Sequence, residues 1–297
     1  MISRPKDCGE KRPARKHRIS GHGEGTVDVV LSVDAVAEEA ARLAAEAPSR
    51  EHLLALAGGK PLLSIDNLHA GYGRMEILHG LDLLIGAGQS LCLIGPNGAG
   101  KSTVLHSIFG FTRVFSGHIR LGDDDITHLK PNEKLVGAGI AYILQDNSVF
   151  PDMTVEENLW MGGYLLNDTR EARHRADEVF DKYPRLARRR RQPASVLSGG
   201  ERRLLEIARA LIMHPAILLV DEPSIGLEPR FIDMVFEILD DLQHAEGKTI
   251  IMVEQNARKG LEFADIGYVL VSGQLVKAAP GDDLLEDEDV GRLFLGG

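Results

Sequence analysis

Two rhythms of apolar and polar positions alternate along most of the chain. From Pro61 onward the short apolar runs "LCLIG", "GIAYIL", "AILLV", "TIIMV" and "GYVLV" recur, each bounded by Gly, Asp or a longer amphipathic segment. Such runs read as strands buried on both faces, and their alternation with helical patterns predicts an α/β fold: a mainly parallel sheet with helices on both sides. Between Phe150 and Arg191 the strand rhythm stops. There "TVEENLWMGGYL" and "REARHRADEVFDKYPRLARRRR" predict a helical insertion, amphipathic and then basic. Residues 1–60 read differently again. "RPKDCGEKRPARKHR" has almost nothing apolar to bury and reads as a disordered basic arm. "VDAVAEEAARLAAEAPSREHLLALAGG" puts Val36, Ala40, Leu43 and Ala47 on one stripe and Glu38 four residues before Arg42, the pattern of an Ala-rich amphipathic helix. The expected division is an N-terminal extension, 1–60, followed by one domain, 61–297, with its helical part at about 150–197.

Composition narrows the function. The 44 acidic residues outnumber the 34 basic ones, for a net charge of −10, so the chain lacks the global basic field of a nucleic-acid binder. No apolar stretch approaches the roughly 18 residues that cross a bilayer, so a membrane role has to run through a partner. The two cysteines are far apart in sequence; Cys92, inside "SLCLIG", reads as a small buried hydrophobe, which fits a reducing compartment. The Arg-rich arm invites a transit-peptide reading, but Asp7 and Glu10 interrupt it and acids follow, which favours a solvated extension. Contact with anionic lipid is the other use of such a run.

Three motifs bring chemistry. "LCLIGPNGAGKST" holds Gly-x-x-x-x-Gly-Lys-Ser at Gly95, Pro96, Asn97, Gly98, Ala99, Gly100, Lys101 and Ser102, with Thr103 behind, directly after an apolar strand and at the start of a helical pattern. Glycines let backbone N–H groups turn inward around phosphate oxygens, the helix N-terminus adds positive potential, Lys101 supplies a point charge and Ser102 a hydroxyl for Mg²⁺. The bland alternative is a Gly-rich turn capping a helix. "AILLVDEP" ends a second strand in Asp221 and Glu222, which at the carboxyl edge of a parallel sheet can hold metal-bound water and polarise an attacking water. Alone it reads equally as a turn opening at Pro223. "LSGGE", Leu197 to Glu201, opens the helix "ERRLLEIARALIMH", so Ser198, Gly199 and Gly200 offer a hydroxyl and bare amides at a helix N-terminus, either a second anion site or a capped helix.

That pentapeptide, between a phosphate loop and an Asp-Glu strand, resembles the signature of the ATP-binding-cassette ATPases. The resemblance implies a P-loop NTPase core with an antiparallel β subdomain and a helical subdomain, the activity of an ATP hydrolase, and ATP with Mg²⁺ as ligands. It also implies an obligate second ATPase subunit, identical or related, because one signature covers the nucleotide held by the other subunit. Further positions carry over singly. Tyr72 in "HAGYGRMEILHG" looks like the aromatic that stacks on adenine, a core Tyr being the alternative. Gln145 resembles the glutamine that joins Ser102 and Asp221 at Mg²⁺. "SIGLE", 224–228, occupies the D-loop, with Glu228 where most relatives have Asp. In "TIIMVEQN", Gln255 takes the slot of a switch histidine. A glutamine N–H can donate to a phosphate oxygen as well as a neutral imidazole does, but it cannot exchange a proton near neutral pH.

"VEQN", "GYGRMEILHGLDL", "FPDMTVEENLWMGG", "DEPSIGLEP" and the terminal "FLGG" together resemble one cassette branch, the second ATPase subunit of branched-chain amino acid importers, over about residue 61 to the end. Urea and short-amide importers share much of the pattern, and Gln145 leans towards them. The resemblance implies integral-membrane permease partners, a periplasmic solute-binding protein acting indirectly, and a peripheral place on the cytoplasmic face of the inner membrane. Rival classes are a non-transport cassette that grips nucleic acid or the ribosome and a regulatory cassette that binds ATP without turning it over. The first lacks its long coiled-coil insertion or second cassette here; against the second stands Glu222.

Overall fold

The computed structural model describes residues 47–145 and 148–295. The predicted stripe at Val36, Ala40 and Leu43, the pair Glu38–Arg42, the basic arm and the last two glycines lie outside them.

The apolar runs form the middle of a six-stranded sheet in the order β10-β9-β3-β8-β7-β6. Strands β3 (Ser90–Ile94), β6 (Ile140–Ile143), β7 (Ile217–Asp221), β8 (Thr249–Val253) and β9 (Ile266–Val271) run parallel, and β10 (Gln274–Pro280) pairs antiparallel to β9 at one edge. Every residue of β3, β7, β8 and β9 is buried, which is why these segments are apolar in sequence apart from Ser90, Asp221 and Thr249 at their ends. Their side chains still alternate. Cys92, Ile94, Leu218, Val220, Ile250 and Met252 enter one core, whereas Leu91, Leu93, Ile217, Leu219, Ile251 and Val253 enter the other. Cys92 is a packing residue, and burial pushes its thiol well above the usual range.

The second core is closed by a four-stranded antiparallel sheet in the order β2-β1-β4-β5, built from β1 (Pro61–Tyr72), β2 (Met75–Gly86), β4 (Arg113–Leu121) and β5 (Asp124–Asp125). Helix α1 (Arg50–Leu56) packs on it, with Leu53 wholly buried and Ala57 just beyond its end. Leu53 and Ala57 of "REHLLALAGG" thus join the core that this sheet covers.

Helix α2 (Lys101–Phe109) follows β3, and α3 (Pro131–Val136) precedes β6. The stretch without strands contains α4 (Val155–Gly162), α5 (Thr169–Lys182) and α6 (Pro184–Ala187). Thr154 and Glu157 form a reciprocal capping box at the start of α4. The basic run is tied down inside this region: Arg190 pairs with Glu156 and, at 2.8 Å, with Asp177, and lies over the Phe180 ring. Helix α7 (Gly199–Leu211) leads into β7, α8 (Pro229–His244) joins β7 to β8, and α9 (Ala257–Phe263) joins β8 to β9. Helices α10 (Gly281–Glu286) and α11 (Glu288–Phe294) end the described chain. No helix among the described residues is long and apolar enough to cross a membrane.

Candidate nucleotide site

The site collects at the carboxyl edge of the parallel strands. After Ile94 the chain turns through Gly95–Gly100 into α2. Gly95 has φ 144°, and a Cβ there would lie 2.1 Å from the carbonyl oxygen of Leu270, so the turn depends on glycine. Ala99 N–H closes the loop on Pro96 O at 3.1 Å, and Thr103 is buried behind it. Lys101, only 8% exposed, opens the helix and donates from Nζ to the carbonyls of Gly95 (2.9 Å) and Pro96 (3.0 Å). Burial pulls its ammonium below the ordinary range, against the opposing pull of Glu222 and Asp221. The N-terminus of α2 thus concentrates backbone donors, helix potential and one cation at a single point, an arrangement that receives anions.

Strand β7 brings the acids to the same place. Asp221 is 4% exposed; Ser102 Oγ donates to its Oδ1 at 3.1 Å and Tyr142 Oη to its Oδ2 at 2.7 Å. Glu222 follows with φ 44°, a left-handed backbone that costs a non-glycine residue on the order of 1 kcal/mol. Its N–H donates to Val253 O at 2.9 Å, and its Oε2 accepts from Gln145 Nε2 at 3.0 Å. Gln145 therefore touches Glu222, next door to the Ser102–Asp221 contact.

Arg203 of α7 locks the two strand ends together. Its guanidinium, 4% exposed, donates to Leu144 O (2.7 Å), Asp221 O (3.1 Å) and the Glu206 carboxylate (2.8 Å). Neither Arg203, Glu206 nor Tyr142 was expected from the motifs. The available signal was a charged i,i+3 pair on the apolar face of α7 and a tyrosine inside an apolar strand.

Glu254, the first of the three polar residues that end the "TIIMVEQN" strand, caps this same edge of the sheet. It is 2% exposed and accepts from Ser224 Oγ (2.8 Å), Ser224 N–H (3.3 Å) and Asn256 N–H (3.0 Å). Its carboxylate fastens the loop after β7 to the loop after β8. Gln255, beside it, is exposed. Val253 pairs with Asp221 on one side and Leu93 on the other, so Gln255 leaves the sheet between the phosphate-loop strand and the Asp-Glu strand. Tyr72, 42% exposed and so no core residue, hydrogen-bonds through its hydroxyl to His106 Nδ1 of α2, with the rings edge to face. Burial holds the His106 imidazole below its ordinary pKa.

Ser198, Gly199 and Gly200 form a separate cluster. Ser198 caps α7, accepting from Glu201 N–H at 3.3 Å, while the Glu201 carboxylate accepts from Ser198 N–H at 3.0 Å. A Cβ on Gly200 would lie 2.1 Å from the Phe231 ring of α8, and Gly199 faces Leu227. The capping box and the packing of Gly200 give the helix-cap reading of "LSGGE" its physical basis. A groove of about 430 Å³ runs between the helical stretch and the sheet, lined by Tyr142, Phe150, Tyr164, Leu165, Glu206 and Arg209, with Tyr164 77% exposed.

The geometry is that of a P-loop ATPase, and comparisons agree. The ABC transporter family model matches residues 78–225. Over 236 residues, 80% of this chain and all of the relative, the chain is 40% identical to the high-affinity branched-chain amino acid transport ATP-binding protein BraG of Pseudomonas aeruginosa. It is 39% identical to a probable branched-chain amino acid transport ATP-binding protein, LivF, of Archaeoglobus fulgidus, covering 79% of this chain and 99% of that one. The Escherichia coli lipopolysaccharide export ATP-binding protein LptB is 31% identical, covering 79% and 97%. Among solved structures, a nucleotide-free ATP-binding cassette from an ABC transporter superposes with a TM-score of 0.71 at 27% identity, covering 80% of this chain and 100% of that one. The chain belongs to the ABC transporter ATP-binding proteins, a family of nucleotide-binding ATP hydrolases. Importer members of this family work as dimers with membrane permeases.

Proposed function

We propose that this chain hydrolyses ATP to drive uptake of branched-chain amino acids through a separate permease, at the cytoplasmic face of the inner membrane. One observation carries the enzymatic part: Ser102, Gln145, Asp221 and Glu222, far apart in sequence, converge beside the N-terminus of α2. In this reading Lys101 and the amides from Gly95 to Thr103 hold the phosphates, Tyr72 stacks on adenine, and Gln255 donates to the γ-phosphate. Glu222 orients and polarises the attacking water, and its strained backbone supports a functional assignment. Ser198, Gly199 and Gly200 contact the nucleotide of a second ATPase subunit, alike or related.

Mg²⁺ fits the donor set of Ser102 hydroxyl, Asp221 carboxylate and Gln145 amide oxygen, all hard oxygens of the kind that ion takes. When bound it neutralises charge on the phosphate oxygens. Asp221, fixed from both sides by Ser102 and Tyr142, would hold the ion together with the Ser102 hydroxyl beside it. The preorganised donors of the phosphate loop then act where charge develops during transfer.

The solute rests on the relatives at 40% and 39% identity. Gln145 keeps urea or a short amide as the second reading. The exposed apolar groove by Tyr164 and Phe150 supports docking of a permease segment.

The deciding experiment is Glu222→Gln on the full-length chain with Mg·ATP. Turnover is expected to fall by roughly 10²–10⁴-fold while nucleotide stays bound and dimer accumulates on size exclusion. Wild-type turnover in that variant would remove Glu222 from its role. Uptake of labelled leucine against labelled urea, in cells lacking the gene, separates the two solutes.

A further inference from the structure

We propose that His69, Glu76 and His79 form a binding site for a divalent transition metal of the zinc class, separate from the nucleotide site. The three residues lie on the β1–β2 hairpin, His69 on one strand and Glu76 and His79 on the other, where Gly71 pairs with Glu76 and Ala70 with Leu78. Both imidazoles turn Nδ1 onto one carboxylate oxygen: Glu76 Oε1 is 2.6 Å from His69 Nδ1 and 3.1 Å from His79 Nδ1. One ligand atom from each residue lies within 4.8 Å of the others. Two imidazoles and one carboxylate suit Zn²⁺, Co²⁺ or Ni²⁺ and not Mg²⁺, which prefers oxygen alone.

The hydrogen-bonded arrangement brings the donors together before any ion arrives. A cation seated among them takes the place of the two protons aimed at Oε1. Each neutral imidazole carries its proton on Nε2 instead, and a protonated one releases a proton to solvent. The side chains of His69, Glu76 and His79 are 33%, 37% and 45% exposed, so an ion and its remaining waters have access.

The site is also wired to the phosphate loop. His79 N–H donates to Gly273 O at 2.9 Å, and Gly273 N–H donates to Ala99 O at 2.9 Å. The same hairpin holds Tyr72 at its tip.

The test titrates the nucleotide-free, full-length chain with CoCl₂ at pH 7.5, follows the visible absorption of bound Co²⁺, and then displaces it with ZnCl₂. One saturable Co²⁺ per chain is expected. His69→Ala and His79→Ala each weaken it by at least about tenfold, the smallest loss typical when support of a metal site is removed. His17→Ala with His22→Ala, in and just after the basic arm, leaves it unchanged. His79→Cys retains binding and adds a thiolate charge-transfer band in the near ultraviolet, which settles the matter even where an alanine variant fails to fold. No saturable spectrum, an affinity indifferent to His69→Ala, loss of the signal in the arm variant, or Co²⁺ bound to His79→Cys without the thiolate band would overturn the proposal.

Discussion

Both ends of the parallel strands bring polar side chains together, but at the amino end they close on one another over relaxed backbone, whereas at the carboxyl end the hydrogen bonds hold like charges and a residue at positive φ. At the amino edge Asp265 accepts from Ser90 N–H (3.0 Å), Ser90 Oγ (3.2 Å) and Gln243 Nε2 (2.6 Å), and Thr249 Oγ1 accepts from Gly88 N–H (2.8 Å). These bonds join β3, α8, β8 and the turn before β9 without strained backbone. At the carboxyl edge Asp221, Glu222 and Glu254 crowd within two neighbouring loops, and Glu222 sits at positive φ. Helix α2 spans the same contrast. Its N-terminus faces the phosphate loop, whereas at its C-terminus the buried Lys134 donates from Nζ to Ile108 O (2.6 Å) and Ser107 O (3.3 Å), answering the negative end of the helix from inside the protein. One edge is built for stability and the other accepts strain and like charge, which is what a catalytic edge requires.

Perturbing each edge sharpens that contrast. Beyond the turnover loss of Glu222→Gln, the largest effect is expected at the amino edge. Asp265→Ala removes a charged acceptor of three hydrogen bonds and should cost about 3 kcal/mol, lowering Tm by roughly 5–10 °C while leaving turnover per folded molecule unchanged. Calorimetry and a coupled ATPase assay on one preparation check both halves. Glu254→Gln is the intermediate case: it keeps the volume but exchanges one acceptor oxygen for a donor facing Ser224, so turnover should drop about tenfold with little change in nucleotide affinity. An equal loss in both would assign Glu254 to binding.

Lys134 gives a pH test. Burial pushes its ammonium down to about 8, with Asp125 opposing, from an ordinary 10.5. Between those values the unfolded chain holds a proton that the folded chain has released, so this group's contribution to stability rises with pH across the window. Relative to Lys134→Met, wild-type stability should gain on the order of 1 kcal/mol from pH 8 to 10 in denaturant titrations. A falling difference would mean that the ammonium is stabilised by its carbonyl partners. The smallest effect is expected for Gln255→His, with turnover within about twofold, because one neutral donor replaces another.

Much of this architecture was legible in the sequence, because fully buried parallel strands leave continuous apolar runs. "LCLIG", "AILLV", "TIIMV" and "GYVLV" each became a central strand, and the cassette fold implied by "LSGGE" agrees with the solved cassettes. The phosphate-loop glycines were legible for a related reason: positive φ and close approach to Leu270 restrict the residue type. The partners of Arg203, Tyr142 and Glu254 were not, because they lie on distant segments and periodicity says nothing about partners. The burial of Leu53 and Ala57 was not legible either, since they join the second core only once the β1–β2 sheet exists.

The contact between Gly200 and Phe231 has one more consequence. Phe231 lies in the first turn of α8, just after the loop that Glu254 grips through Ser224. In a dimer of the proposed kind, pressure on Gly200 from the opposite subunit's nucleotide would pass through that ring to the acid-bearing edge of its own subunit. Each half would thereby register whether the other is loaded, through rigid packing alone and without a dedicated messenger.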